Sequence, residues 1–323
     1  MNVRKLAIVA AIAFGSAYAA QAMAAEQLVI YTNSDEEAQA AMKHALDANG
    51  FAGKYIFQTF GTAELGGKLI AEGKNIEADL ITQCTYYIDS IQPMNHMFKE
   101  LSFKHDEIDG SQEPYYVTFL GNTGALFVNT KVLADEKLPR PETIADLAKP
   151  EYKDKISVPD ITGSSTSWLM TQALISAYGE EKGTELTREI EENAGDHLEM
   201  SGSAPLKKIR AGEVAVGFGL RHQAVADKKK GLPIDYIDPK EGNFTLKEGI
   251  AVIDKGDKTN PEAMKAAEIM GLKSRPEMIS FYPFAIYPGE EVKGEMVPAY
   301  PKKFPEKLTL ELLKKHQEEV KDE

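Results

Sequence analysis

Short β-branched and aromatic runs alternate with Ala-rich or charged amphipathic stretches along most of the chain. Residues 27–33 (QLVIYTN) are the first such run and predict a strand. Ser34-Asp35-Glu36-Glu37 then opens helical sequence as far as Leu46, with Ser34 as N-cap and Glu37 three residues on. Residues 55–60 predict a second strand, Gly61-Thr62-Ala63-Glu64 a second helix start, and residues 78–83 (ADLITQ) a third strand. Alternating strand and helix, with turns at the strand C-termini, predict a parallel α/β sheet.

Residues 117–129 read as strand material broken by Gly121-Asn122-Thr123-Gly124. Pro139, Pro141 and Pro150 punctuate a surface stretch with a short helix at 144–149. Residues 156–159 begin a second α/β unit. In it, Gly163-Ser164-Ser165-Thr166-Ser167 leads into a helix at 168–178, and Ser201-Gly202-Ser203 into one at 206–211. A strand at 214–220, a helix at 221–229 and strand-like runs at 234–237 and 246–253 follow. Residues 260–272 and 307–320 read as helices, the last with Leu308, Leu312 and Leu313 on one face. Two α/β units joined by extended segments predict two lobes around a cleft. Crossings near Asn122 and Asp238 give a first lobe of 25–121 and 239–323 and a second of 122–238.

The first 24 residues stand apart. Arg4 and Lys5, an apolar run over 6–20 and Ala22-Met23-Ala24 have the layout of a signal peptide, predicting cleavage after Ala24 and export to the periplasm. The rest of the 323-residue chain has an ordinary globular balance, 43% hydrophobic and 27% charged. A net charge of −13 argues against nucleic acid or an anionic membrane as partner, because both need a positive field. The single cysteine, Cys84, excludes an internal disulfide. Six scattered histidines without metal-ligand spacing, and the absence of G-x-S-x-G, Walker and dinucleotide motifs, predict no enzyme, no metal and no cofactor.

Six segments in order carry a family resemblance: LVIYTN, GTAELGGKLIAEGKNIEADLI, GNTGALFVNTK, VPDITGSSTSWLMTQALISAYGEEKG, SGSAPLKKIRAGEVAVGFGLRHQA and EGNFTLKEGIAVIDKGDK. Together they resemble periplasmic solute-binding proteins of ABC transporters. The similarity is greatest to the ferric-iron-binding branch, which includes binders of sugar phosphates, phosphonates, phosphoglycerate and thiamine. The resemblance implies the periplasmic-binding-protein fold of two α/β lobes on a two-strand hinge. It also implies ligand capture by closure, and permease and ATPase subunits as partners. In the iron binders two adjacent tyrosines occupy the place where this chain has Arg221-His222, which sets it apart from them.

The candidate ligand residues are groups at helix starts and strand ends. Gly163, Ser164, Ser165 and Thr166, then Ser201, Gly202 and Ser203, then Thr62 and Ala63, and Asn33 and Ser34, offer hydroxyls and free backbone N–H groups suited to an anion. Gln83 ends a strand, and Asn122 and Thr123 lie at the first crossing. Arg221 suits bidentate contact with phosphate or carboxylate, and His222 can donate to the same group. Plain capping and turn chemistry account for several of these positions equally well. Cys84, Trp168 and the pairs Tyr86-Tyr87 and Tyr115-Tyr116 are expected in the core or hinge. The resulting expectation is a monomeric binding protein for a small anionic solute, an organic phosphate or phosphonate. Ferric iron is the next ligand, then a cationic solute of thiamine or polyamine type. A phosphatase-like periplasmic enzyme and a sensory subunit are the readings from other classes.

Overall fold

The computed structural model describes residues 27–321, so the expected signal peptide lies outside the described residues. The first half is built from β1 (Leu28–Thr32), α1 (Glu36–Leu46), β2 (Tyr55–Thr59), α2 (Thr62–Glu72), β3 (Leu80–Cys84) and α3 (Thr85–Asn95). β1 pairs in parallel with β2 on one side and β3 on the other, as the strand–helix alternation predicts. β4 (Val117–Asn129) is one continuous strand. The expected break at Gly121–Gly124 is absent because Gly121 to Thr123 pair with a later strand of the first half and Gly124 with one of the second, which keeps the backbone extended.

α4 (Thr130–Asp135), β5 (Ile156–Pro159), α5 (Ser165–Tyr178), α6 (Glu180–Ala194), β6 (Leu198–Glu199), α7 (Ala204–Ala211), β7 (Val216–Leu220), α8 (Arg221–Lys229) and β8 (Ile234–Ile237) make the second half. β9 (Thr245–Val252) returns to the first, followed by α9 (Ala263–Glu268), α10 (Arg275–Phe281) and α11 (Leu310–Lys321). The architecture is the two-lobed α/β fold that the sequence predicts. Helices α3, α4, α6 and α10 have no counterpart in the pattern reading. α3 carries Pro93 inside its last turn, and α6 carries nearly all its apolar weight on Leu186, Ile190 and Ala194, four residues apart.

One sheet runs through both lobes in the order β2-β1-β3-β9-β4-β7-β5-β6, with β8 also on β4. β4 is the shared strand. It pairs antiparallel with β9 as far as Thr123 and with β7 from Gly124 onward. The register slips by one residue between Thr118 and Leu120. Such a bulge bends the strand and re-aims its side chains. Here it frees the Phe119 carbonyl, which accepts from Arg275 Nη1 at 2.7 Å.

A third connection ties the lobes. After α10 the chain passes over the second lobe and ends as α11. The Leu310 N–H donates to Ser90 Oγ on α3 at 3.1 Å, while Lys321 Nζ reaches Glu191 on α6 at 2.7 Å and Gln317 donates to the Ile161 carbonyl at 2.9 Å. The expected boundaries give residues 239–323 to the first lobe, but α11 lies on α6 of the second. The main apolar core is continuous from Tyr31 and Ile81 through Tyr86 and Trp168 to Leu174, so the lobes are packed together.

Candidate functional site

The two lobes meet over the ends of β1, β3 and the middle of β9, where open α/β sheets present ligand-facing groups. Glu248 sits in the middle of β9, buried, opposite Cys84 on β3 and Leu120 on β4. Its Oε1 accepts from Asn122 Nδ2 at 2.9 Å and Asn33 Nδ2 at 3.4 Å. Its Oε2 is buried without a partner, and so is Asn122 Oδ1. Burial pushes the Glu248 carboxyl up to about 8, and the nearby Asp35 carboxylate adds to the rise.

Asp35 begins α1. Its carboxylate accepts from the Tyr282 hydroxyl and, across the seam, from Gln223 Nε2 on α8 at 3.3 Å. Burial raises this carboxyl too. Among the described residues no ion pair within 4 Å reaches Asp35 or Glu248; Glu248 is buried, Asp35 half-buried, and the more distant Lys207 ammonium offsets part of the Asp35 charge. Tyr282 also stacks on His222, centroids 4.4 Å apart. Burial pushes that imidazole down to about 4, so it is neutral at pH 7.

Beside Glu248, the Cys84 thiol lies 4.0 Å from Oε1 and is raised well above its ordinary range by burial. Ser165 of the second lobe faces the same thiol and pulls its pKa the other way. The Tyr86 hydroxyl is buried and unpartnered, and the Tyr86 ring meets Trp168 edge-on at 4.9 Å. The seam therefore gathers polar atoms whose bonding capacity the protein does not fill, which in a folded chain calls for water, an ion or a ligand.

Residues 56–271, more than half of the chain, match the family of bacterial extracellular solute-binding proteins. The chain belongs to that family. An uncharacterized protein of Haemophilus influenzae is 25% identical over 258 residues, covering 76% of this chain and 72% of its own. The spermidine/putrescine-binding periplasmic protein of Escherichia coli is 24% identical over 218 residues; the match covers 62% of this chain and only 60% of that relative. The fold is also that of the periplasmic binding protein AfuA from Actinobacillus pleuropneumoniae, solved with fructose-6-phosphate. That match has a TM-score of 0.67 and 18% identity, covering 81% of this chain and 88% of the other. This solute-binding protein also shares its fold with iron-bound HitA from Pseudomonas aeruginosa (TM-score 0.70, 18% identity), and its family is one of binding proteins rather than of enzymes. Its members work with ABC-type permease and ATPase subunits, and the family implies a periplasmic location.

Several candidate residues of the solute-binding protein meet at the seam. Asn33 and Asn122 hold Glu248, and Ser165 reaches Cys84. Others serve the scaffold. Ser34 does not cap α1; the helix starts one residue later, at Asp35, and the Ser34 N–H donates to Thr32 Oγ1 at 3.0 Å. Gln83 ties the Cys84 N–H to the Thr62 carbonyl, at 2.8 and 3.0 Å. Ala63 lies in the first turn of α2, whose entry is fixed by Glu64 accepting from the Gly61 N–H at 3.3 Å. Thr123 bonds Thr245 across β4 and β9 at 2.7 Å.

In the second lobe Ser164 is the N-cap of α5, accepting from the Thr166 N–H at 3.2 Å. Ser201 bonds Ser203, its Oγ 3.2 Å away. Gly202 packs so closely on the α5 start that a Cβ there would lie 2.0 Å from Thr166 Oγ1, and one at Gly163 would strike Met200. The two loops thus form one lip.

Arg221 is the clear departure from expectation. It is buried, and all its donors are used inside the protein. Nε and Nη2 hold Asp238 at 2.6 and 3.0 Å, and the remaining N–H groups donate to the carbonyls of Glu295, Met296 and Val297. It offers no free fork to an anion. Its job is to fasten the third connection onto the second lobe.

Asp35, Glu248, Tyr282 and Gln223 escaped the reading from sequence. One sign was available for Glu248: the central strand β9 carries adjacent charges, Lys247 and Glu248, where both faces ought to be apolar. Lys247 turns outward to Glu107 and Asp109, at 2.6 and 2.8 Å. Glu248 turns into the seam. Among the described residues, the one group spaced for a metal ion is Glu180, His316 and Glu319, where α11 meets α6. Trp168 Nε1–H donates to His316 Nδ1 at 3.0 Å, which puts the proton of the neutral ring on Nε2, the atom facing Glu180.

Proposed function

We propose that the protein captures a small solute bearing a cationic nitrogen, of the polyamine or thiamine kind, and hands it to an ABC-type permease. The observation that carries this is the unpartnered, buried Oε2 of Glu248 with a half-buried second acid, Asp35, beside it. A buried carboxylate costs several kcal/mol unless paired. An ammonium or thiazolium group supplies the missing charge, and the Tyr86 and Tyr282 rings suit its flanks. The relative that binds spermidine and putrescine gives the same direction. Export by the 1–24 signal peptide belongs to this reading.

An anionic solute, an organic phosphate or phosphonate, is the second reading. The α5 and α7 starts at Ser164–Thr166 and Ser203 favour it, since they lie at one lip and carry the positive ends of helix dipoles. Against it stand the neutral His222, the fully occupied Arg221 and the two acids. Ferric iron ranks third, because no tyrosine follows β7.

A thermal-shift and calorimetry panel of putrescine, spermidine, thiamine, fructose-6-phosphate and ferric citrate separates the readings. A ligand raises the melting point by mass action. Stabilisation by the nitrogen cations alone is expected. Stabilisation by the sugar phosphate without the cations overturns the first reading in favour of the second.

A further inference from the structure

We propose that Glu248 carries a proton in the empty, closed seam and that this proton leaves when the solute is captured, so that uptake of the cation is a proton exchange. The inference rests on the cationic reading above. It adds the protonation state of the carboxyl and the stoichiometry of the exchange.

The geometry requires a proton there. Oε1 has two amide donors, from Asn122 and Asn33, whereas Oε2 is sealed from solvent with none. The groups facing it are an acid or weak acids from every neighbouring element. They are Asp35 at the start of α1, Cys84 at the end of β3, Tyr86 on α3 and Tyr282 beyond α10. Glu37 adds a further negative charge on the α1 side of Tyr282. The adjacent Lys247 is directed to the opposite face and held by Glu107 and Asp109. His222, from the second lobe, is neutral. Lys207 offsets part of the Asp35 charge, but among the described residues no cation pairs with Glu248 itself, so its ionised form would be a buried charge next to Asp35. The raised pKa of Glu248 agrees with this arrangement.

The exchange balances simply. The empty site holds the neutral acid; the filled site holds carboxylate and cation; one proton passes to water. For a singly charged guest the exchange leaves the net charge of the seam unchanged, and for a polyamine it offsets one of the guest's charges. Affinity for such a guest rises close to tenfold per pH unit while Glu248 is mostly protonated, below about pH 7.5, and levels off above it.

The test has two arms on the mature full chain. Infrared difference spectra of wild type and Glu248→Gln at pH 7 read the protonated carboxyl C=O stretch directly, without any ligand. Calorimetry with spermidine, in two buffers of different ionisation enthalpy, reads proton release. Expected are a carboxylic-acid band that Glu248→Gln lacks, its loss on adding spermidine, and release of about 0.9 proton per site at pH 7. A missing band in the empty wild type overturns the inference whatever the ligand proves to be. A band that persists with spermidine bound overturns it as well. If the band is present but spermidine gives no heat while fructose-6-phosphate does, the cationic reading is the part that failed, and the exchange falls with it.

Discussion

Arg221 and Asp238 form a two-point ion pair, Nε to Oδ1 at 2.6 Å and Nη2 to Oδ2 at 3.0 Å, with both side chains almost fully buried. The pair lies where α8 meets the segment leading to β9, and the same guanidinium holds three carbonyls of the strand-less stretch 295–297. It works as a fastening rather than as a ligand contact.

Arg221→Ala therefore weakens the fold. It leaves Asp238 charged, buried and unpaired, a loss on the order of 3–5 kcal/mol in urea unfolding. Arg221→Lys recovers only part, because an ammonium cannot span both carboxylate oxygens and the carbonyls together. A fully stable Arg221→Ala protein with weakened solute binding would instead return Arg221 to the site.

Glu248→Gln changes the pH dependence of stability. The native carboxyl titrates near 8, above its value of about 4.5 in the unfolded chain. The folded state thus holds more protons than the unfolded one between those values, and stability falls as pH rises through that window. The amide has no such proton to lose. The ligand-free variant should gain roughly 1–3 kcal/mol over wild type at pH 8 and nothing at pH 4, by urea midpoints at each pH. Parallel curves at both pH values would contradict the burial argument.

Gly202→Ala should open the second-lobe lip. The added methyl meets Thr166 Oγ1 at 2.0 Å and its Cβ at 2.7 Å, so one loop must move. A destabilisation of roughly 1–3 kcal/mol is expected from overpacking. Solute affinity should fall with it, read by calorimetry against whichever compound the panel identifies.

Trp168 is the sole tryptophan, and it touches Tyr86 of the opposite lobe. Its emission should respond to lobe movement, shifting when solute is added and losing most of that response in Tyr86→Leu. His316→Phe removes the acceptor of the indole N–H and should cost about 1–3 kcal/mol. An emission spectrum blind to solute in wild type would place Trp168 away from any moving contact.

The alternation of strands and helices was legible because it depends on local pattern, and β1, β2, β3, β5, β7 and β8 lie within a residue or two of where that pattern puts them. The break expected in β4 failed for a tertiary reason. Gly121 and Gly124 read as a turn locally, yet pairing with β9 and β7 keeps the backbone extended, and Phe284 and Phe218 fill the space a side chain would take. The site was half legible. Asn33, Asn122 and Ser165 could be singled out because helix starts and crossings are visible along the chain, and they do lie at the seam. Asp35, Glu248 and Tyr282 were not, since their meaning arises only when segments 34 to 247 residues apart converge on one seam. Arg221 shows the complementary failure: its chemistry suits an anion, but the anion it holds is Asp238.

Helix α11 begins against Ser90 of one half and finishes against Glu191 and Ile161 of the other, like a strut pinned at both ends. Any swing of the halves has to be absorbed by this strut or by the bare stretch that precedes it. The travel of the gate is thereby limited by a part of the molecule that the solute never meets.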